Sequence, residues 1–235
     1  MRITWASGTH MGRVRTNNED ALHPQTSGSS RDTSLFAVAD GMGGHVAGEV
    51  ASSKAIEVAT SSNGPLAERI HAANDAIIEA AREDRSLLGM GTTITMAEIE
   101  PDGTATIGHV GDSRAYLLHD GSLEQLTEDH TIVAEYLAAG KIKPEDIANH
   151  PQRSMITRAL GLERDIEVDT FTRHLIAGDR LLLCTDGLNS MVSDQRIERY
   201  LQAPTPDDAV WDLIEAANAA GGHDNVSLIV IDVGP

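Results

Sequence analysis

Four aspartates stand beside strand-like apolar runs and next to glycine: Asp40 in VADG (38–41), Asp112 in HVGDS (109–113), Asp186 in LCTDG (183–187) and Asp224 in GGHDN (221–225). Taken singly, each reads as a turn residue, because aspartate and glycine are what tight turns use. Four repeats of one local grammar argue for a shared task, since catalytic groups sit in loops held by a rigid scaffold. Gathered within a few ångströms, four carboxylates repel one another and some retain their protons; divalent cations remove that cost. All-oxygen donors suit hard ions, Mg²⁺ or Mn²⁺, with much of the shell left to water. Zinc lacks its usual ligands: there is one cysteine, Cys184, and no H-E-x-x-H among the ten histidines. The D-x-D-x-D-G alternation of a calcium loop is also missing. Gly41 has no side chain to keep its carbonyl from turning toward an ion on Asp40, and Gly43 and Gly44 permit a sharp exit into a helix; a plain glycine turn is the alternative. Arg15, opening RTNNED (15–20), offers a two-pronged donor that matches phosphate oxygens; a surface ion pair is its other reading.

The elements that must position these groups are legible in outline. TSLFAVAD (33–40) reads as a buried strand leading to Asp40. Helices are expected over 46–60, with Ala47, Ala51, Ala55 and Ala59 on one face, and over 66–85, where Leu66, Ile70, Ala73, Ile77 and Ala81 recur at three- and four-residue steps. A strand meander follows, 92–99 with 104–111 and 114–118 with 122–126, its turns built on Pro101-Asp102-Gly103 and Asp120-Gly121. Residues 129–160 read as helical and irregular with a break at Pro144; 178–187 returns to strand. Ser193 is placed as the cap of a short helix through Leu201, and Thr205-Pro206-Asp207-Asp208 as a stronger helix start, stopping by Gly221-Gly222. NVSLIVIDV (225–233) closes the chain as a buried strand. Helix pairs at both ends of a hairpin-rich middle are most simply buried as two antiparallel sheets face to face, each covered by helices.

Composition bounds the rest. The 235 residues, 40% hydrophobic with 3% aromatic, fit one domain over 1–235 with an aliphatic core. A net charge of −18 argues against nucleic acid or an anionic membrane as the main partner. A lone thiol forms no internal disulfide, which suits a reducing cytoplasm, and the apolar neighbours of Cys184 make it a buried strand residue. The N-terminus has no apolar leader segment and no run approaches a membrane span, so a cytoplasmic location is expected.

Together the motifs resemble the metal-dependent protein phosphatases of the type 2C (PPM) family, in particular its compact bacterial members. The matching pieces are R-x-x-N-E-D (15–20), DGMGGH (40–45), GTT (91–93), GDSR (111–114), HPQRSMITRALG (150–161), TDGL (185–188) and GGHDN (221–225), in the family's order. The resemblance implies an α+β fold, a four-layer αββα sandwich of two antiparallel sheets flanked by helix pairs. It implies hydrolysis of phosphoserine and phosphothreonine in proteins by a water or hydroxide shared between metal ions, without a phosphoenzyme. Asp40 would bridge two ions of Mn²⁺ or Mg²⁺, Gly41 would lend its carbonyl, and Asp186 and Asp224 would complete the first site. Asp112 with Asp186 would hold a third ion. Arg15 would bind substrate phosphate and Asp20 would orient metal-bound water. Some members carry a histidine right after Asp-Gly as the acid for the leaving alkoxide; here that position is Met42. His45, three residues on, is a candidate for that role, a supporting or helix-capping role being the alternative. Residues 131–155 correspond to the family's flap, where His150 and the lysines meet an acidic or phosphorylated substrate or are simply solvated. The implied partners are phosphorylated proteins, substrates of bacterial Ser/Thr kinases, acted on by a monomer. A catalytically silent metal-binding regulatory module on the same fold is the competing reading. A metal-dependent hydrolase of small phosphoesters or nucleic acid is a third, disfavoured by the acidic chain and the ordered motifs.

Overall fold

The computed structural model describes residues 1–43, 47–147 and 150–235. Its strands are β1 (Arg2–His10), β2 (Asp20–His23), β3 (Gly28–Ser30), β4 (Ser34–Met42), β5 (Gly91–Thr92), β6 (Ile94–Ile99), β7 (Thr104–Val110), β8 (Arg114–His119), β9 (Ser122–Gln125), β10 (Asp169–His174), β11 (Arg180–Cys184) and β12 (Val226–Gly234). Its helices are α1 (Ala47–Ser61), α2 (Leu66–Glu83), α3 (Ile132–Ala138), α4 (Pro144–Ile147), α5 (Asp186–Asn189), α6 (Asp194–Tyr200) and α7 (Pro206–Ala219). One sheet runs β3-β1-β12-β11-β8-β9 and the other β10-β7-β6-β4-β2, with β5 paired to β4. Every pairing is antiparallel. Among the described residues no helix is long and apolar enough to cross a membrane.

The period of two along a strand sorts side chains into layers. In β12, Ile229 and Ile231 join Phe36, Val38, Leu181 and Leu183 in the core between the sheets. The alternate residues Leu228 and Val230 face outward, with Leu182 and Cys184, onto Leu213 and Ile214 of α7. In β4, Ala37 and Ala39 face the other way, onto Ala51 and Ala55 of α1 and Ile70 and Ile77 of α2. Both sheets are thus buried on both faces, which is why these strands read as continuous apolar runs rather than alternating ones. The layers follow as α1/α2, sheet, sheet, then α5–α7: the four-layer α+β sandwich expected.

Several expectations shift in detail. The meander is split between the sheets: β6–β7 belongs to one and β8–β9 to the other. The chain crosses between them at Gly111-Asp112-Ser113, with Gly111 at φ +112°. The strand expected over 178–187 stops at Cys184, because Asp186 already starts the single turn of α5. Pro144 opens α4 rather than breaking a helix. Ser193 occupies the position before α6 but makes no side-chain capping bond. Thr205 does cap, its hydroxyl accepting from the Asp208 N–H at 3.1 Å. Strands β1, β2, β3 and β10 were not anticipated.

Candidate active site

Both sheets send strand ends to the same end of the sandwich. Asp40 lies near the end of β4, Asp112 just after β7, Asp186 just after β11 and Asp224 just before β12. They meet, with Arg15 and Gly41, around a cavity of about 360 Å³. Asp20 stands directly opposite Asp40 in the β2–β4 register. The structure therefore brings together all four strand-end aspartates, Gly41, Arg15 and Asp20. His150 is elsewhere: its ring meets Tyr136 edge-on at 6.0 Å, and its Nδ1 accepts from the Gln152 N–H at 3.2 Å. Gly44 and His45 lie outside the described residues.

Local structure explains each placement. The Asp40 carbonyl accepts from the Thr93 N–H (2.9 Å) and the Thr92 hydroxyl (2.8 Å), and the Asp40 N–H donates to Thr93 Oγ1 (3.0 Å). Thr93 Oγ1 also bonds Ser113 Oγ at 2.7 Å, tying Asp40 to the Asp112 crossover. A Cβ on Gly41 would run into the carbonyl oxygens of Gly48 and Glu19, so α1 can press onto this strand end only over a glycine. Segment 15–20 is held from three sides: Glu19 O accepts from the Gly41 N–H and the Ser52 hydroxyl, and the Glu19 N–H donates to Asn225 Oδ1 at 2.8 Å. Asn225 Nδ2 reaches on to Met11 O and Asn17 O.

The electrostatics are those of crowded, buried carboxylates. Burial, then the negative charges of Asp186 and Asp224, push the Asp20 carboxyl up to about 7 against the pull of its hydroxyl partners. Burial first and Asp186 second push Asp112 up to about 8. Burial and then Asp224 bring Asp186 up to about 6, and Asp40 is raised as well by burial and by Asp20. Asp20 Oδ2 accepts from the Thr185 hydroxyl at 2.9 Å, whereas Asp20 Oδ1 and Asp186 Oδ1 are buried oxygens with no hydrogen-bond partner. Orphaned buried oxygens of this kind call for an explanation such as an ion or water. As the side chains stand, no three acidic, imidazole or thiol groups among the described residues close to ligating distance; what points to an ion is the all-oxygen donor set on the cavity wall and the two unpartnered buried carboxylate oxygens. Carboxylate and carbonyl oxygens are the donors a hard divalent ion takes, so the residues present fit Mn²⁺ or Mg²⁺ in their chemistry.

Arg15 Nη2 donates to Asp224 Oδ2 at 2.7 Å from a half-exposed position on the rim. Arg15 is therefore ion-paired with Asp224 and also forms part of the cavity wall. The supporting groups Thr92, Thr93, Ser113, Thr185 and Asn225 received no role from the sequence. The signal was present, since all stand inside or beside the quoted motifs; what was absent was the knowledge that these motifs touch one another.

The family model described as Protein phosphatase 2C matches residues 7–207. The chain is 41% identical over 240 residues to the serine/threonine protein phosphatase PstP of Mycobacterium tuberculosis, covering 98% of this chain and 45% of that protein. It thus spans about half the length of that relative. It is 38% identical over 238 residues to the serine/threonine phosphatase Stp of Listeria monocytogenes, covering 95% of this chain and 93% of that one. The catalytic domain of PstP, solved in complex with two manganese ions, superposes with a TM-score of 0.88 at 38% identity over 100% of both chains.

Proposed function

The chain belongs to the protein phosphatase 2C family, and from that membership we propose that it hydrolyses phosphoserine and phosphothreonine in proteins with divalent metal. The observation that carries this reading is the convergence of Asp40, Asp112, Asp186, Asp224 and Arg15 on one cavity. Asp40, Asp186, Asp224 and the Gly41 carbonyl would hold two ions, Mn²⁺ as in the PstP structure or Mg²⁺, and Asp112 with Asp186 a third. Such ions lower the pKa of water and neutralise charge on a phosphoryl group. Arg15 on the rim engages the equatorial phosphate oxygens with a rigid planar donor. Asp20, anchored through Oδ2 by Thr185, keeps Oδ1 free to accept a hydrogen bond from a water and orient it for in-line attack.

Two side chains that could act as nucleophiles are withdrawn from the reaction, in keeping with hydrolysis without a phosphoenzyme. Cys184 is fully buried, and burial pushes its thiol up to about 12. The Ser113 hydroxyl is buried and engaged with Thr93. On this reading residues 1–235 form one catalytic domain with a flap at 131–155, and the protein is a cytoplasmic monomer opposing Ser/Thr kinases. A panel of phosphoserine, phosphothreonine and phosphotyrosine peptides, assayed with each divalent ion and with chelator, tests it. Metal-dependent release of phosphate from the first two peptides is expected. Undiminished activity in excess chelator, or none with any ion, contradicts it.

A further inference from the structure

Among the described residues, three of the seven exposed large hydrophobics lie on one track leading out of the carboxylate cavity: Met155 (48% exposed), Leu162 (55%) and Leu88 (66%). Next to that cavity is a second one of about 420 Å³, lined in part by Met155, Ile156 and Leu162. The two share Met42, Ser154 and Ile156 in their walls, so they adjoin each other. A third hollow of about 310 Å³ shares Leu162 with the second and carries Leu88, Ile78, Arg82 and Arg164. Its apolar wall is held on a fixed backbone. Asn74, buried in α2, accepts from the Gly161 N–H at 2.7 Å and donates to Glu163 O and Arg164 O, while Thr92 and Leu160 exchange backbone bonds. Arg82 makes a solvent-exposed contact of 3.6 Å with Glu79, of a kind worth little. Among the described residues the Arg164 guanidinium has no ion-pair partner.

Contiguous exposed apolar surface is costly in water and marks a binding face. On the reading of the chain as a protein phosphatase, we infer that this groove binds the polypeptide of the substrate on one side of the phosphoresidue. It takes apolar side chains next to the phosphorylated residue and an acidic side chain beyond them, against Arg82 and Arg164. An extended peptide suits the groove because its alternate side chains fall on one face. A small phosphoester fills the carboxylate cavity and leaves the groove empty.

The test uses Mn²⁺-loaded protein and phosphothreonine peptides with Gly/Ser flanks. Into these, leucines are placed N-terminal or C-terminal to the phosphothreonine, with glutamate or lysine beyond; p-nitrophenyl phosphate is the small control. Leucines on one side only are expected to raise kcat/KM about tenfold or more, mainly through KM. The doubly substituted Leu88→Ser, Leu162→Ser protein should lose that advantage while turning over p-nitrophenyl phosphate as before. Arg164→Glu should shift the outer preference from glutamate toward lysine. Equal kcat/KM for all flanks, or an advantage that survives the double substitution, overturns the groove. Fluorescence anisotropy of labelled peptides reads the same preference without turnover. Absent turnover with a retained leucine preference would therefore sink the phosphatase reading alone, and turnover without any preference would sink the groove alone.

Discussion

Asp186 Oδ1 and Asp20 Oδ1 are buried without a partner, and the proposed function gives the two residues different tasks. Replacing Asp186 by Asn removes a proposed metal ligand and a buried charge together. Asp186→Asn is expected to lower Mn²⁺-dependent dephosphorylation at least about 100-fold, with unchanged circular dichroism; full activity would remove Asp186 from the site. Thr185→Val deletes the hydroxyl that donates to Asp20 Oδ2 and accepts from the buried Ser227 N–H; it should lower stability modestly and cost roughly 10–100-fold in activity, the range for groups that orient a metal site. Arg15→Ala should raise KM for phosphopeptide more than it weakens Mn²⁺ binding, measured by calorimetry on the same protein. At this scale the sequence carried the acids and Arg15, because each sits in a short motif whose chemistry is local. It did not carry their supports. The Thr185–Asp20 bond spans 165 positions and the Asn225–Glu19 bond 206, and no local pattern encodes such a meeting.

Elements hold these side chains in place, and their ends are where substitution separates stability from chemistry. Gly41→Ala puts a methyl group into the Gly48 and Glu19 carbonyls, so overpacking of about 1–3 kcal/mol is expected, together with lost activity as β4 and α1 separate. Thr205→Ala removes the α7 cap and should cost about 1 kcal/mol in denaturant unfolding, with kcat/KM unchanged; a fall in activity would tie α7 to the site. The helices α1, α2 and α7 were legible because a 3.6-residue apolar period and cap chemistry are both written locally. Strand β1 was not. It lies between β3 and β12, but its helix-facing positions include Ala6 and Gly8, and a Cβ on Gly8 would meet Val210 and Ile214 of α7. Close approach there demands small residues, which leave no hydrophobic signature. Strand β10 is an edge with mostly exposed side chains, so it shows no buried face to read. The crossover of the chain between sheets at Asp112 likewise comes from packing, since both flanking hairpins look alike in sequence.

For the whole molecule, the clustered carboxylates set how stability follows pH. In metal-free protein Asp20 titrates near 7 and Asp112 near 8, against about 3.9 for an unfolded aspartate. The folded state then holds more protons than the unfolded one, so this stabilisation is complete below about pH 4 and fades as pH rises through 7 and 8. His109 acts oppositely: burial lowers its pKa to about 4, so its contribution is full above about 6.5 and fades as pH falls toward 4. Between about pH 6.5 and 8 the carboxylates therefore dominate the slope. The exposed His119, raised by its bond to Asp179, has the same sign but lies outside the carboxylate cluster. The melting temperature of chelator-treated protein is expected to fall from pH 6.5 to 8, and Mn²⁺ should raise it more at pH 8 than at pH 6.5. Each 1 kcal/mol corresponds to roughly 2–4 °C in a chain of this size; a Mn²⁺ effect independent of pH would contradict proton–metal exchange. The central claim is that carboxylates from both sheets converge to hold divalent ions, and anomalous diffraction from crystals grown in Mn²⁺ tests it most directly. The account predicts at least two peaks inside the cavity, touching Asp40, Asp186, Asp224 and the Gly41 carbonyl; an empty cavity, or manganese bound only elsewhere on the acidic surface, would contradict it.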